Sequence, residues 1–231
     1  MKIHPLPTTK YNDRADHLRP SMLIIHSMGL PVGTALDLLT VSAIEASAHY
    51  AITPEGDIYS FVSEHHRAWH AGKSTWRGLE DINSHSIGIE LIAPGPDNTE
   101  KDEMDVPGPF SLLQMNSLTN LSLDILRRWN ISTDSVLAHS DIAPGRKRDP
   151  GERFNWADFA AAGVGLWPDG PLPLPLEAPT LEGLARYGYD VSDPQAALVA
   201  FQRHFRPTNC TGEDDTRTRQ ILNWLLQKTG R

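Results

Sequence analysis

The stretch Ala138-His139-Ser140-Asp141-Ile142-Ala143-Pro144-Gly145-Arg146-Lys147-Arg148-Asp149-Pro150-Gly151 constrains this chain more than any other. Pro144 and Pro150 lack a backbone donor and each precedes a glycine, so no regular helix or central strand is expected to run across the segment. Val136 and Leu137 lead into it as the end of a short apolar strand. A polar loop that cannot relax into regular structure, hung from a buried strand, is a common way to hold functional groups. His139 and Asp149 offer an imidazole nitrogen and a carboxylate oxygen, donors suited to a divalent ion such as zinc. Two ligands do not complete a site. His26, at the tip of the apolar run Met22-Leu23-Ile24-Ile25, is the candidate third.

A chain of 231 residues is long enough for one medium domain and a small one. Its hydrophobic fraction of 39% and charged fraction of 22% place it among folded globular proteins and not disordered ones. The net charge of −8 argues against a nucleic-acid partner, and the one basic run, Arg146 to Arg148, lies inside the candidate site. The single cysteine, Cys210, excludes an intrachain disulfide and a cysteine-rich zinc module, and reads as a small buried or half-buried side chain. Residues 1–10 carry no apolar run of signal-peptide length, and no window reaches the length of a membrane span. The expected compartment is the cytoplasm, with export as the alternative if a leader has been removed.

Residues 1–20 read as an extended, proline-bearing lead-in. Ser21 to His26 is a buried strand that delivers a side chain at its tip, and apolar spacing predicts a helix over Thr34 to Ala46. Residues 47–52 and 58–62 flank Pro54-Glu55-Gly56-Asp57 as a β-hairpin. Trp69 to Gly72 and Trp76 to Gly78 form an aromatic, glycine-broken loop, and Ser86 to Ile92 is a strand with Glu90 awkwardly placed in it. Residues 94–109, rich in proline, glycine and acids, are expected to form an exposed loop. Ser111 to Trp129 is the clearest helix, with Ser111 as N-cap and Gln114 three residues on. A strand over 135–139 and a short helix over 155–162 follow. The expected fold is α/β, a central mixed sheet flanked by helices, over residues 1–168. Proline at alternate positions makes 169–179 an extended linker. Helical patches at 180–187, 194–205 and 214–228 then form a small all-α unit over 180–231, which buries little core alone and leans on the first.

Two histidines and one carboxylate leave a fourth zinc position for water, whose pKa the ion lowers to about 7. Hydrolysis also needs a proton acceptor and a cation facing the developing oxyanion. Glu90 is the candidate base and Lys147, two residues before Asp149, the candidate cation. Spacing alone leaves open that Glu90 points into solvent and that Lys147 is one more exposed lysine.

Ile24-Ile25-His26, Ser47-Ala48-His49-Tyr50, Ala68-Trp69-His70-Ala71-Gly72, Ser86-Ile87-Gly88-Ile89-Glu90 and the segment from His139 to Gly151 occur in one order over residues 21–168. In these blocks the chain resembles the zinc-dependent N-acetylmuramoyl-L-alanine amidases of the AmpD/AmiD type, themselves similar to peptidoglycan recognition proteins and phage amidases. The resemblance implies His26, His139 and Asp149 as zinc ligands, Glu90 as the catalytic carboxylate and Lys147 as the cation that stabilises the transition state. It implies cleavage of the amide between the lactyl group of N-acetylmuramic acid and L-alanine, in peptidoglycan or anhydro-muropeptides. Arg77 and Arg146 are the expected binders of peptide carboxylates, Trp69, His70 and the Trp76 loop the expected walls of the site, and His49 a structural residue. Gly188-Tyr189-Asp190 and Ala200 to Phe205 resemble a three-helix peptidoglycan-binding unit; the alternative is a helical cap on the fold. The protein is expected to be a monomer. The rivals to an amidase are a recognition protein that binds peptidoglycan without cutting it and a zinc endopeptidase acting within the stem peptide.

Overall fold

A computed structural model describes residues 2–15, 18–93 and 109–231; but for residue 109, the loop expected over 94–109 lies outside the described residues. A six-stranded sheet runs in the order β1 (Ile3–Pro5), β5 (Ile58–Ser60), β4 (Tyr50–Ile52), β7 (Ser86–Ile92), β3 (Met22–Met28), β8 (Val136–Ala138). Only β4 and β5, the expected hairpin, pair antiparallel; the other neighbours are parallel. β2 (Tyr11–Asp13) and β6 (His66–Ala68) form a separate antiparallel ribbon. The lead-in is therefore not simply extended: β1 and β2 both lie in it. Each is three residues long, too short to show alternation, and each pairs with a partner more than fifty residues away (Ile3 with Ile58, Tyr11 with Ala68).

Side-chain alternation along β3 assigns the two faces of the sheet. Leu23 and Ile25 join Ile87, Ile89 and Leu91 of β7 under α3 (Leu112–Trp129), which buries Leu118, Leu121 and Ile125 against them. Ser111 caps α3 as its sequence predicts, its hydroxyl accepting from the Gln114 amide at 3.0 Å. Helix α1 (Val32–Thr40) is shorter than its apolar spacing predicts and starts directly after Pro31. The Ser42 hydroxyl accepts the Ile44 N–H, a local bond that competes with the helix, and Val41 and Ile44 stand 80% and 57% exposed.

The other face carries Met22, Ile24, Leu137, Ile142 and Trp76, and the C-terminal helices cover it. These are α6 (Thr180–Tyr187), α7 (Pro194–Phe205) and α8 (Thr216–Thr229), close to their expected bounds. Their Leu184, Tyr187, Phe201, Phe205, Ile221 and Leu225 belong to one core with the sheet residues just named. Residues 169–179 contain no helix or strand, as alternating proline requires, but they are strapped to α8. Leu176 is buried in the shared core, its amide donates to the Arg219 carbonyl at 3.2 Å, and Asn223 donates to the Leu174 carbonyl at 2.9 Å. Among the described residues no helix is long and apolar enough to cross a membrane.

A core built jointly by the sheet and by residues 180–231 should melt as one. Phe201, fully buried, should cost about 3–5 kcal/mol on replacement by alanine. Calorimetry of Phe201→Ala should show a single transition lowered as a whole. A second, unshifted transition for the sheet would show two independent cores.

Candidate metal centre

β3 and β7 pair in parallel with His26 opposite Glu90. Alternation points both side chains to the face covered by the C-terminal helices. On the other side of β3, β8 ends at Ala138 and the chain turns directly into α4 (His139–Ile142), so His139 follows the sheet edge by one residue. The segment expected to be irregular thus opens with one helical turn, because Pro144 stops a helix only from that point on. Past the Pro-Gly turn, the Asp149 carbonyl accepts the Ser140 N–H at 3.1 Å and brings its carboxylate back beside His139. His26 Nδ1 and His139 Nδ1 lie 2.9 Å apart, His139 Nδ1 and Asp149 Oδ2 3.0 Å, and His26 Nδ1 and Asp149 Oδ2 3.4 Å. All three residues are buried.

The donors around these rings determine which atoms carry protons. His139 Nε2 lies 3.1 Å from the Ala71 carbonyl, which can only accept, and 3.4 Å from Arg146 Nη2, which can only donate; the shorter contact favours the tautomer protonated at Nε2, with its lone pair at Nδ1. His26 Nε2 lies 2.9 Å from His70 Nδ1, away from the cluster. Burial, then the neighbouring His139, hold the His26 pKa down to about 4, so His26 is neutral at physiological pH. Burial works to raise the Asp149 pKa, but the imidazoles of His139 and His26 outweigh it and leave the carboxyl ionised far below the usual range. With both rings neutral, two nitrogen lone pairs and an anionic oxygen face one point, and a cation, or a proton shared among them, is what holds them together. Bonds of about 2.0–2.1 Å to a tetrahedral zinc separate its ligand atoms by roughly 3.3 Å, close to the three edges seen here. The residues fit the ion.

Glu90 stands beside this cluster, half-buried, with Oε2 shielded from solvent and without a hydrogen-bond partner among the described residues. Burial, then the charge of Asp149, push its pKa up to about 8, while Lys147 opposes them. Its strand neighbour does not face water, and the carboxyl is uncommitted.

The remaining candidates divide. Half-buried Trp69 donates from Nε1 to Asn12 and lines, with Gly72 and Arg67, a cavity of about 350 Å³. Exposed Arg146 lies against Gly72, donating to the carbonyls of Ala71 and Lys73 at 2.6 and 2.9 Å. His70 is not a wall of the site: it is buried behind His26 and bonded to it. Arg77 is not free for a substrate carboxylate, because its guanidinium is taken up by Asp134, Ser135 and the Tyr187 carbonyl, which tie it to the C-terminal helices. The expected structural role of His49 agrees with its burial and its bond from the Gly88 N–H. A larger cavity, about 770 Å³, is lined by Arg14, Arg19, Pro20, Arg128 and Trp129. None of the triad lines it, and its Arg14 is spent on the carbonyls of Glu64, Asn83, Ser84 and Ser86.

Sequence reading missed a clamp on the segment from His139 to Asp149. Buried Asp141 accepts from Tyr189 Oη and from His204 Nδ1, both at 2.6 Å, and from the Ala138 amide at 2.7 Å. Arg203 adds an ion pair to Glu152 at 2.8 Å. These contacts hold both ends of the segment that carries His139, Lys147 and Asp149 to residues of α7 and its approach. The only signal in the sequence was an acidic residue two positions after the ligand.

Comparison with known proteins agrees with this geometry. The chain is 38% identical to the N-acetylmuramoyl-L-alanine amidase AmiD of Escherichia coli K12, over 96% of this chain and 88% of that protein. It is 32% identical to the 1,6-anhydro-N-acetylmuramyl-L-alanine amidase AmpD of Enterobacter cloacae, over 68% of this chain and 87% of that one. Among solved structures, Escherichia coli AmiD in complex with anhydro-N-acetylmuramic acid-L-Ala-D-γ-Glu-L-Lys superposes with a TM-score of 0.81 at 35% identity, covering 95% of this chain and 93% of that one. AmpDh3 of Pseudomonas aeruginosa, also solved with an anhydromuramic pentapeptide, matches with a TM-score of 0.80 at 34% identity, over 96% of this chain and 95% of that one. The N-acetylmuramoyl-L-alanine amidase family profile matches residues 16–152, and with the coverage of these relatives it establishes that the chain belongs to that family.

Proposed function

We propose that the chain is a zinc-dependent amidase that hydrolyses the bond between the lactyl group of (anhydro-)N-acetylmuramic acid and the L-alanine of the stem peptide. The observation that carries this reading is the convergence of three unshared lone pairs beside an uncommitted carboxyl. His26, His139 and Asp149 would hold the ion. When bound, zinc polarises an amide carbonyl, brings the pKa of water from 15.7 to about 7, and by its charge favours the ionised form of Glu90. Glu90, free of partners at Oε2, accepts a proton from the attacking water and returns it to the leaving amine of L-alanine. Lys147 sets its positive charge against the oxyanion that develops on the carbonyl. Arg146 and Trp69, both near Gly72, are assigned contact with the stem peptide or sugar. The anhydromuramyl peptides bound by the two solved relatives support an anhydro-muropeptide as a substrate.

For residues 180–231 we propose a structural role first. Of the residues that resemble a peptidoglycan-binding unit, Gly188-Tyr189-Asp190 and Ala200 to Phe205, all but the exposed Asp190 are buried: Tyr189, Ala200, Phe201 and Phe205 in the shared core, His204 on Asp141 and Arg203 on Glu152. Contact with wall polymer would fall to outward residues such as Leu181 and Arg186.

Mass spectrometry of anhydro-muropeptides treated with purified protein should show free stem peptide. Glu90→Gln should retain zinc and lose turnover by about a hundredfold or more. Unchanged substrate with wild type would make the chain a recognition protein, and split stem peptide an endopeptidase.

Acid should unfold the metal-free protein early. The buried rings of His26 and His49 sit at about 4 and 3, and that of His70 well below its usual value. As pH falls from about 6.5 toward 4, the unfolded chain takes up a proton on each of these three that the folded chain refuses, so stability is lost. Glu90 acts oppositely, since the folded state keeps a proton that the unfolded one releases above about 4.5, but it is one group against three. Near pH 5.5 the balance is about two protons, a slope of roughly 3 kcal/mol per pH unit. The urea midpoint with chelator present should fall steeply between pH 7 and pH 5; a flat profile would mean these rings are not neutral in the fold.

A further inference from the structure

The face of β7 that carries Glu90 also carries Ser86 and Gly88, at successive alternate positions. Each meets His70, a residue with no role in the proposed chemistry. The Ser86 hydroxyl donates its one proton to the Ile82 carbonyl at 2.6 Å, so toward His70 Nε2, 3.2 Å away, it can only accept. His70 Nε2 therefore carries the proton. Two ring nitrogens in hydrogen-bond contact need one donor and one acceptor, and with the His70 proton placed on Nε2 its Nδ1 is the acceptor. The group 2.9 Å from that acceptor is His26 Nε2, which must then be the donor. Neutral His26 with its proton on Nε2 has its lone pair on Nδ1, where the metal cluster needs it.

The space for this relay is built into the backbone. A Cβ on Gly88 would stand 2.5 Å from His70 Cγ and 2.6 Å from its Nδ1, so only glycine admits the ring. His49 braces the far side, its ring 5.6 Å from that of His70, with its Nδ1 accepting the Gly88 N–H at 3.0 Å. The Asn83 side chain accepts the His70 amide at 3.0 Å and fixes the loop from which the ring projects.

We propose that His70 is a positioning residue that sets the tautomer of His26. The proton chain runs from His26 Nε2 to His70 Nδ1, from His70 Nε2 to Ser86, and from Ser86 to the Ile82 carbonyl, with Gly88 providing the cradle. This rests on the metal reading of the triad, but it concerns the ligand's proton and not the reaction.

The test uses Zn²⁺ alone and the full chain. In a chelator competition, His70→Leu should bind zinc 10–100-fold more weakly than wild type, the usual effect of removing a ligand's orienting partner. Gly88→Ala should do the same by dislodging the ring. His70→Gln should recover most of the affinity, because its amide oxygen can accept from His26 while its NH2 group donates to Ser86. Long-range ¹H–¹⁵N spectra of the metal-free wild type should show both His26 and His70 protonated at Nε2. Wild-type zinc affinity in folded His70→Leu, or His26 protonated at Nδ1, would overturn the assignment. The spectra judge it even if His70→Leu does not fold. Wild type that binds no zinc while keeping the assigned tautomers would defeat the metal reading and leave the relay standing.

Discussion

Two imidazole nitrogens and a carboxylate oxygen that present lone pairs to one another at 2.9–3.4 Å are held against their mutual repulsion, and the rest of the molecule is arranged around that cost. Neither ring is free to turn its proton inward. His139 is tied at Nε2 to the Ala71 carbonyl and His26 at Nε2 to His70, so each keeps its lone pair on the metal side. A cation relieves all three at once, and this is why the cluster reads as a metal site and not as a chance meeting of polar side chains.

The sheet supplies the geometry cheaply. Parallel pairing of β3 with β7 in one register sets His26 beside Glu90, and two-residue alternation sends both to one face. The same alternation gives β7 a division of labour along that face, with Ser86 and Gly88 serving the ring behind His26 and Glu90 facing the site. A register slip of one residue would turn the ligand and the carboxyl into the core under α3.

The second face of the sheet could not remain open, because Met22, Ile24, Leu137 and Trp76 cover it with apolar surface. The C-terminal helices close it and reach from there into the site. Asp141, two residues after His139, is fully buried and is satisfied by Tyr189, His204 and the Ala138 amide. Covering the core and holding the segment from His139 to Asp149 are thus done by the same helices. Arg77 belongs to this joint as well, since its side chain bridges Asp134 and the Tyr187 carbonyl.

Local pattern was sufficient for α3, where apolar spacing and the Ser111 cap agree, and for α6 to α8, where apolar spacing holds over two or more turns. It was sufficient for the hairpin of β4 and β5 and for the central strands β3 and β7. The triad was legible too, because His26 and His139 each end an apolar run and Asp149 follows a turn that proline and glycine enforce. Three-residue strands such as β1 and β2 were not, since their pairing depends on segments far along the chain. The roles of His70 and Arg77 were misread because a histidine in an aromatic loop and an arginine beside a tryptophan look the same whether they face a substrate or the interior. What the residues determined alone was which groups end up at strand tips and turns. Which atoms on those groups carry protons, and which cations are already spent, was decided by folding, because hydrogen-bond partners such as Ser86, Asp134 and Ala71 are neighbours only in space.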